Sequence, residues 1–205
     1  MPKLLLTGFE PFLQFPVNPT EKIVQELDED EIGGISIVGL VLPVDFEEAS
    51  GILHRWMEEE QPDAIIMLGL AAGRSHITPE RIAININDAG KEPDNHGRMP
   101  VDRPIRPNGP DGLFSTLPIR EIVDTLQANG YPASISNTAG TYLCNHVMYE
   151  AILHQREFMD REVPTGFIHI PFSHEASIQY GKQTPSWSQK DLIEAIKLAI
   201  GCLDI

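Results

Sequence analysis

Apolar and polar positions alternate in blocks that switch between two periods. Lys3 to Thr7, Ile35 to Leu42, Ala64 to Leu68 and Phe167 to Phe172 are short, nearly continuous apolar runs bounded by Gly, Pro, Asp or Ser. Runs of that length predict strands, the continuous ones covered on both faces. Between them the apolar positions repeat at helical spacing. Ala49, Ile52, Leu53 and Trp56 form one such face; Ile122, Val123 and Leu126 a second; Val147, Met148, Ala151 and Ile152 a third; Leu192, Ile196 and Leu203 the last. Each predicts an amphipathic helix.

The helix boundaries carry their own signals. Asn18-Pro19-Thr20-Glu21 supplies an N-cap, a proline at the first helical position and a capping glutamate for a helix to about Leu27. Asp45, with Glu48 three residues on, opens a helix to Glu60. Pro118 to Asn129 is stopped by Gly130, and Ser188 with Asp191 starts the closing helix. A short β-prone run, Ala133 to Ser136, leads through a small-residue turn to a helix beginning near Cys144. Arg81 to Ile86 is a further strand-like stretch, and 87–112, dense in Pro, Gly, Asp and Asn, is an irregular excursion. His96 and Arg98 fall within that excursion and receive no chemical role.

The β-α-β-α-β order predicts an α/β fold: a single domain over residues 1–205, with a mostly parallel twisted sheet, right-handed crossovers and helices on both faces. Ligands of such sheets lie beyond the carboxyl ends of the strands. Gly8, Gly69 and the loop before Cys144 all emerge there.

Composition narrows the partners. The 205 residues are 41% hydrophobic and 22% charged, with 15 basic against 30 acidic side chains and a formal charge of -15. That charge repels a phosphate backbone and anionic lipid, so neither nucleic acid nor a membrane is an expected partner. Leu4 to Leu6 is too brief for a signal or spanning segment, which points to the cytoplasm. There Cys144 and Cys202 stay reduced, and no Cys/His spacing suggests a metal or other cofactor.

A cysteine at a helix start has unpaired amides and the positive end of the helix dipole beside it, which favour the nucleophilic thiolate. By position alone, Cys144 is more often a small buried hydrophobe. Two further stretches change that balance: GLAAGRSHITPERIAIN at 69–85 and GFIHIP at 166–171. With ISNTAGTYLCNH at 135–146, TGFEPF at 7–12 and FSTLP at 114–118, they resemble the pyroglutamyl peptidases, also called pyrrolidone carboxyl peptidases, over nearly the whole chain.

The resemblance implies a cysteine peptidase that removes N-terminal pyroglutamate from peptides. It implies Cys144 as nucleophile, His169 as general base and then acid, and Glu80 as the carboxylate that orients the imidazole. It also implies Phe9 and Phe12 as walls of the substrate pocket, with less support for Phe15. Relatives often assemble as oligomers, so a homo-oligomer, dimer or tetramer, stays open. Physical position adds the Cys144 backbone N–H as an oxyanion donor.

Among the other histidines, His54 and His154 read as surface or packing residues, and His146, two positions after Cys144, points away from the sulfur on a helix. The loop Gly69 to Gly73 lacks the Walker lysine and the dinucleotide glycine spacing, so nucleotide binding rests on fold analogy alone. Two positions depart from the family pattern. Leu70 stands where a glutamine is expected, and DAGKEPDN at 88–95 has Gly90 in place of a common arginine, beside Lys91 and an apparent one-residue insertion. A cysteine amidase for another small cyclic or acyl amide, and a catalytically silent binder of pyroglutamyl peptides, are the rival functions.

Overall fold

The four apolar runs become neighbouring strands of one sheet. The computed structural model describes residues 1–159 and 161–205. β1 (Lys3–Phe9) leads to α1 (Pro19–Leu27), entered through Asn18, whose Oδ1 accepts from the amide and hydroxyl of Thr20 at 3.1 and 2.8 Å. β2 (Glu31–Ile32) turns back antiparallel onto β3 (Ile35–Leu42) through Gly33 and Gly34. Both glycines have positive φ, which a tight two-residue hairpin demands.

α2 (Ala49–Glu60) and β4 (Ala64–Leu70) follow, then the short β5 (Thr78–Pro79), β6 (Ile82–Ile84) and β7 (Gly112–Phe114). After α3 (Ile119–Ala128) come α4 (Leu143–Phe158), β8 (Thr165–Ile170) and β9 (Phe172–Ser173). α5 (His174–Tyr180), β10 (Ser186–Trp187) and α6 (Gln189–Ile200) complete the regular elements. Among the described residues the central sheet has six strands, ordered β2-β3-β1-β4-β8-β5. β3, β1, β4 and β8 run parallel, and the antiparallel β2 and β5 occupy the edges.

The two-residue period of the strands divides the core into two layers. Leu4, Leu6, Ile66 and Leu68 pack with Ile23, Leu126 and Ile196 of α1, α3 and α6. Their chain neighbours Leu5, Ile65 and Met67 face the other way, onto Leu53 of α2 and Val147 of α4. All seven strand residues are fully buried, so a one-residue register slip would exchange the two layers and is disfavoured. Truncating one of them to alanine costs about 2–5 kcal/mol, a large share of a domain's stability. Among the described residues no helix is long and apolar enough to cross a membrane.

Several local expectations are corrected by packing. The regular helix starts at Ala49; Asp45 caps the turn before it, accepting from the amides of Glu47 and Glu48 at 2.7 and 3.0 Å. Ala133 to Ser136 forms isolated bridges to Ile77 and Glu80 instead of a strand. Only Ile82–Ile84 of the stretch from Arg81 to Ile86 pairs, in a separate small sheet with β7. The strand expected over Phe167 to Phe172 is Thr165–Ile170; it stops at Pro171, which has no amide to continue the ladder. α6 ends at Ile200, although Leu203 still packs in the same core layer.

The irregular excursion is firmly attached. The Asp94 carboxylate accepts from the amides of Phe46, His96 and Arg98 at 3.1, 2.9 and 2.8 Å, and Arg98 Nη1 donates to Asp45 at 2.8 Å. Asn95 Nδ2 donates to Glu10 Oε1 at 2.8 Å and to the Pro11 carbonyl at 3.0 Å. Arg98, left without a role by sequence, therefore ties this loop to the segment that follows β3, while Asn95 ties it to the segment that follows β1.

Three histidines with lowered pKa should make the fold acid-sensitive. The rings of His54 and His154 stack at 4.2 Å, and His146, in the first turns of α4, packs against Phe46, with Nδ1 at 3.2 Å from Asn87. Burial pushes His54 and His146 down to about 4 and lowers His154 as well. The unfolded chain, with imidazoles near 6.5, therefore binds more protons than the folded one in this window. Stability is level above pH 6.5 on this account and is lost as pH falls toward about 4. A drop in Tm of at least roughly 5 °C between pH ~7.5 and pH ~5 is expected by calorimetry. A His54→Gln, His146→Gln double variant should show a flatter profile; an equally steep one would reject this origin.

Candidate active site

The site is built where β4, β8 and α4 converge. Gly69 of β4 lies opposite His169 of β8 in the parallel ladder. A Cβ on Gly69 would lie 2.9 Å from Cys144 Sγ and 2.5 Å from the Phe167 ring, so only glycine lets the sulfur rest against this strand. Cys144 is the second residue of α4, whose N-cap, Tyr142, makes no side-chain capping bond. The N-cap side chain thus leaves the first-turn amides without a capping acceptor.

Glu80 reaches the same place from the opposite edge. β5 pairs antiparallel with β8, Thr78 facing His169 and Pro79 facing Ile168, and the Glu80 amide donates to the Phe167 carbonyl at 2.9 Å. The bridge between Glu80 and Ser136 ties this segment to the loop that leads to Cys144. His169 Nδ1 lies 2.7 Å from Glu80 Oε1, with both side chains nearly or wholly out of solvent. That bond assigns the proton to Nδ1 in the neutral imidazole and leaves Nε2 as the base.

The charge states follow from competition between burial and partners. Burial pushes the Glu80 carboxyl up, but the bond and charge of His169, with Ser136 and Arg74, outweigh it and hold Glu80 below its ordinary value. Burial lowers His169 against the opposing pull of Glu80, so its imidazole rests neutral. Burial, then the charge of Glu80, pushes the Cys144 thiol up to about 12.

Burial and the Glu80 charge thus oppose the thiolate expected at the helix start. A helix dipole contributes at most ~2 kcal/mol, about 1.5 pKa units, whereas the thiol rises from 9.0 to about 12. A thiol beside a neutral imidazole, the pair these shifts favour, is suited to proton transfer during attack.

Beside the sulfur lies a small apolar cavity of about 20 Å³, bounded by Phe9, Phe12, Val44, Leu70, Tyr142 and Cys144. Asn18 and Leu143 complete the lining, which contains no carboxylate. Phe9 is fixed in β1, and Tyr142 is anchored by its hydroxyl, which donates to the Pro93 carbonyl at 3.0 Å. Phe15 sits behind this lining, its ring 5.1 Å from Phe12, 5.5 Å from Phe172 and 5.0 Å from Tyr180. A larger groove, about 830 Å³, lies near the far end of α4 among Asp63, Arg156, Arg161 and Glu162, and it contains none of Cys144, His169 or Glu80.

The structure brings the five sequence-derived positions together in two groups that both adjoin Gly69: His169 bonded to Glu80, and Phe9 and Phe12 in the cavity wall with Cys144. Sequence reasoning missed Val44 and Tyr142 as walls, and missed Arg74, which donates to Glu80 at 2.8 Å. Tyr142 and Arg74 both stand inside the motifs already quoted, which was the available signal. Leu70, singled out from the sequence, occupies the wall itself, and Gly90 does not. Gly90 and Lys91 instead border a separate open hollow on which Tyr142 also lies.

The family model described as pyroglutamyl peptidase matches residues 2–204 of the chain. The pyrrolidone-carboxylate peptidase of Oceanobacillus iheyensis is 54% identical over 204 residues, covering 100% of both chains. The solved pyrrolidone carboxyl peptidase of Thermococcus litoralis aligns with TM-score 0.93 at 44% identity, over 98% of this chain and 93% of that one. The enzyme of that name from Pyrococcus furiosus aligns with TM-score 0.92 at 46% identity, over 97% and 96%.

Proposed function

The chain belongs to the pyroglutamyl peptidase family of cysteine peptidases, and from that premise we propose that it releases N-terminal pyroglutamate using Cys144, His169 and Glu80 as its catalytic triad. The observation that carries the residue assignment is the 2.7 Å His169–Glu80 pair beside a glycine against which the Cys144 sulfur rests, at the edge of an aromatic cavity. His169 Nε2 takes the thiol proton as the sulfur attacks the pyroglutamyl carbonyl carbon. The resulting oxyanion is met by the Cys144 amide. The imidazolium then protonates the departing amine as the C–N bond breaks, leaving a pyroglutamyl thioester. Water, deprotonated by the same imidazole, hydrolyses the thioester and restores the thiol. Glu80 stays ionised throughout and holds Nδ1–H in place.

The cavity explains the choice of end group. A lactam is flat and neutral, so it can lie between aromatic faces without bringing a charge into an apolar site. At about 20 Å³ the cavity holds roughly one water, so the ring enters only as a wall moves. Phe12 is that wall: it sits on the loop between β1 and α1, is partly exposed, and is followed by Leu13 at a positive φ of 50°. Phe12→Ala should raise KM for a pyroglutamyl-coumarin amide about 30- to 100-fold, the loss of one buried aromatic contact, with kcat nearly unchanged. An unchanged KM would remove Phe12 from the pocket.

Release of coumarin from the pyroglutamyl amide under reducing conditions tests the function itself, and no release at any pH where the protein is folded would overturn it. We also propose that the chain works as one catalytic domain in the cytoplasm, where both cysteines, unpaired here, stay reduced.

A further inference from the structure

The loop after β4 places a cation that the triad leaves unused. Gly73, at a φ of +87°, turns the chain, and the Arg74 amide closes the turn by donating to the Ala71 carbonyl at 3.1 Å. On the far side Trp187 Nε1 donates to the Ser75 carbonyl at 3.1 Å, fastening the loop to the segment before α6. So held, Arg74 Nη1 donates to Glu80 Oε1 at 2.8 Å and to Thr78 Oγ1 at 2.6 Å, and Nη2 lies 3.5 Å from the Thr138 carbonyl in the loop before Cys144.

We propose that Arg74 is a positioning residue of the catalytic centre, its guanidinium fixing Glu80 through Oε1 so that Glu80 fixes the His169 imidazole. The assignment rests on the triad proposed above. Both donors converge on a single oxygen, since Oε1 receives His169 and Arg74 while Oε2 has no partner among the described residues. Without Arg74 the His169 bond and the influence of Ser136 alone would hold a fully buried carboxylate. An exposed ion pair contributes little, but here one partner is wholly buried, and leaving its charge uncompensated is costly.

The same cation sets the electrostatics of the group. The charged and titratable side chains that face Glu80 are His169 from β8, Cys144 from α4 and Arg74; Arg81, the next residue, turns to Asn137 instead. Arg74 favours ionised Glu80, neutral His169 and ionised Cys144. Its loss should raise the imidazole pKa, so the acid limb of kcat/KM moves to higher pH. A role confined to folding would leave that limb in place.

The test compares wild type, Arg74→Gln, Arg74→Lys and Glu80→Gln on pyroglutamyl-coumarin amide across pH, with Tm measured in parallel. Arg74→Gln should lose roughly 10- to 100-fold in kcat, as when an outer partner of a site residue is removed, with KM within about threefold and the acid limb shifted upward. Arg74→Lys keeps the charge but not the fork; it should restore the limb and part of kcat. Wild-type kcat and limb in Arg74→Gln, or a loss matched by unfolded protein with the limb unmoved, would overturn the role. If Arg74→Gln does not fold, Arg74→Lys decides: a wild-type limb with kcat reduced per folded molecule at wild-type Tm supports the role, and a shifted limb, wild-type kcat or a loss matched by unfolded protein overturns it. Full activity in Glu80→Gln would instead overturn the triad.

Discussion

Alanine in place of Cys144 should leave hydrolysis of pyroglutamyl-coumarin amide at least roughly 10⁴-fold slower than wild type, with Tm nearly unchanged. The size follows from the chemistry: without the sulfur there is no thioester, and water must attack the amide directly. Binding and the amide of residue 144 would remain, so a residual rate above the uncatalysed one is expected. The small stability effect follows from the change itself, which removes a single sulfur atom beside an existing cavity. His169→Ala should fall by a similar factor, because nucleophile and base act as one unit. Retained turnover in Cys144→Ala would reject the nucleophile, and a wild type that binds such peptides without cleaving them would favour the silent binder.

The second large effect is selectivity between two five-membered rings. Wild type should cleave a pyroglutamyl reporter with kcat/KM at least roughly 10³ above the prolyl reporter. Proline lacks the lactam carbonyl, so any polar partner of that oxygen is left unsatisfied. Its ring nitrogen is also cationic at neutral pH. The cavity lined by Phe9, Phe12, Leu70 and Tyr142 contains no carboxylate to receive that charge, and desolvating it unpaired costs several kcal/mol. Comparable rates on the two reporters would refute this pocket, and preference for a third acyl group would favour the amidase alternative.

The fold was legible wherever its causes are local. Apolar runs such as Ala64 to Leu68, and caps such as Asn18 and Ser188, announce their elements because sequence and hydrogen bond lie within a few residues. The Gly33–Gly34 pair carries a hairpin signal that the strand-and-helix pattern passes over. α5, β9 and β10 were not legible, since their pairing and the packing of Phe172 and Tyr180 on Phe15 depend on partners far along the chain.

The site divides in the same way. Cys144 at a helix start could be read from periodicity, whereas the pairing of Glu80 with His169, 89 residues apart, came only from family resemblance. No local signal tells that Arg74 turns back onto Glu80. The charge state of the thiol is not legible for a related reason: helix position is visible in sequence, but the burial that opposes it is set by the tertiary fold.

Trapping the covalent intermediate tests the central assignment most directly. Wild type mixed with a pyroglutamyl nitrophenyl ester, quenched in acid during the first turnovers and digested, should yield a pyroglutamyl thioester on the peptide that carries Cys144, and Cys144→Ala should yield none. Turnover with that peptide unmodified, or with the acyl group on Cys202 or another side chain, would contradict the assignment.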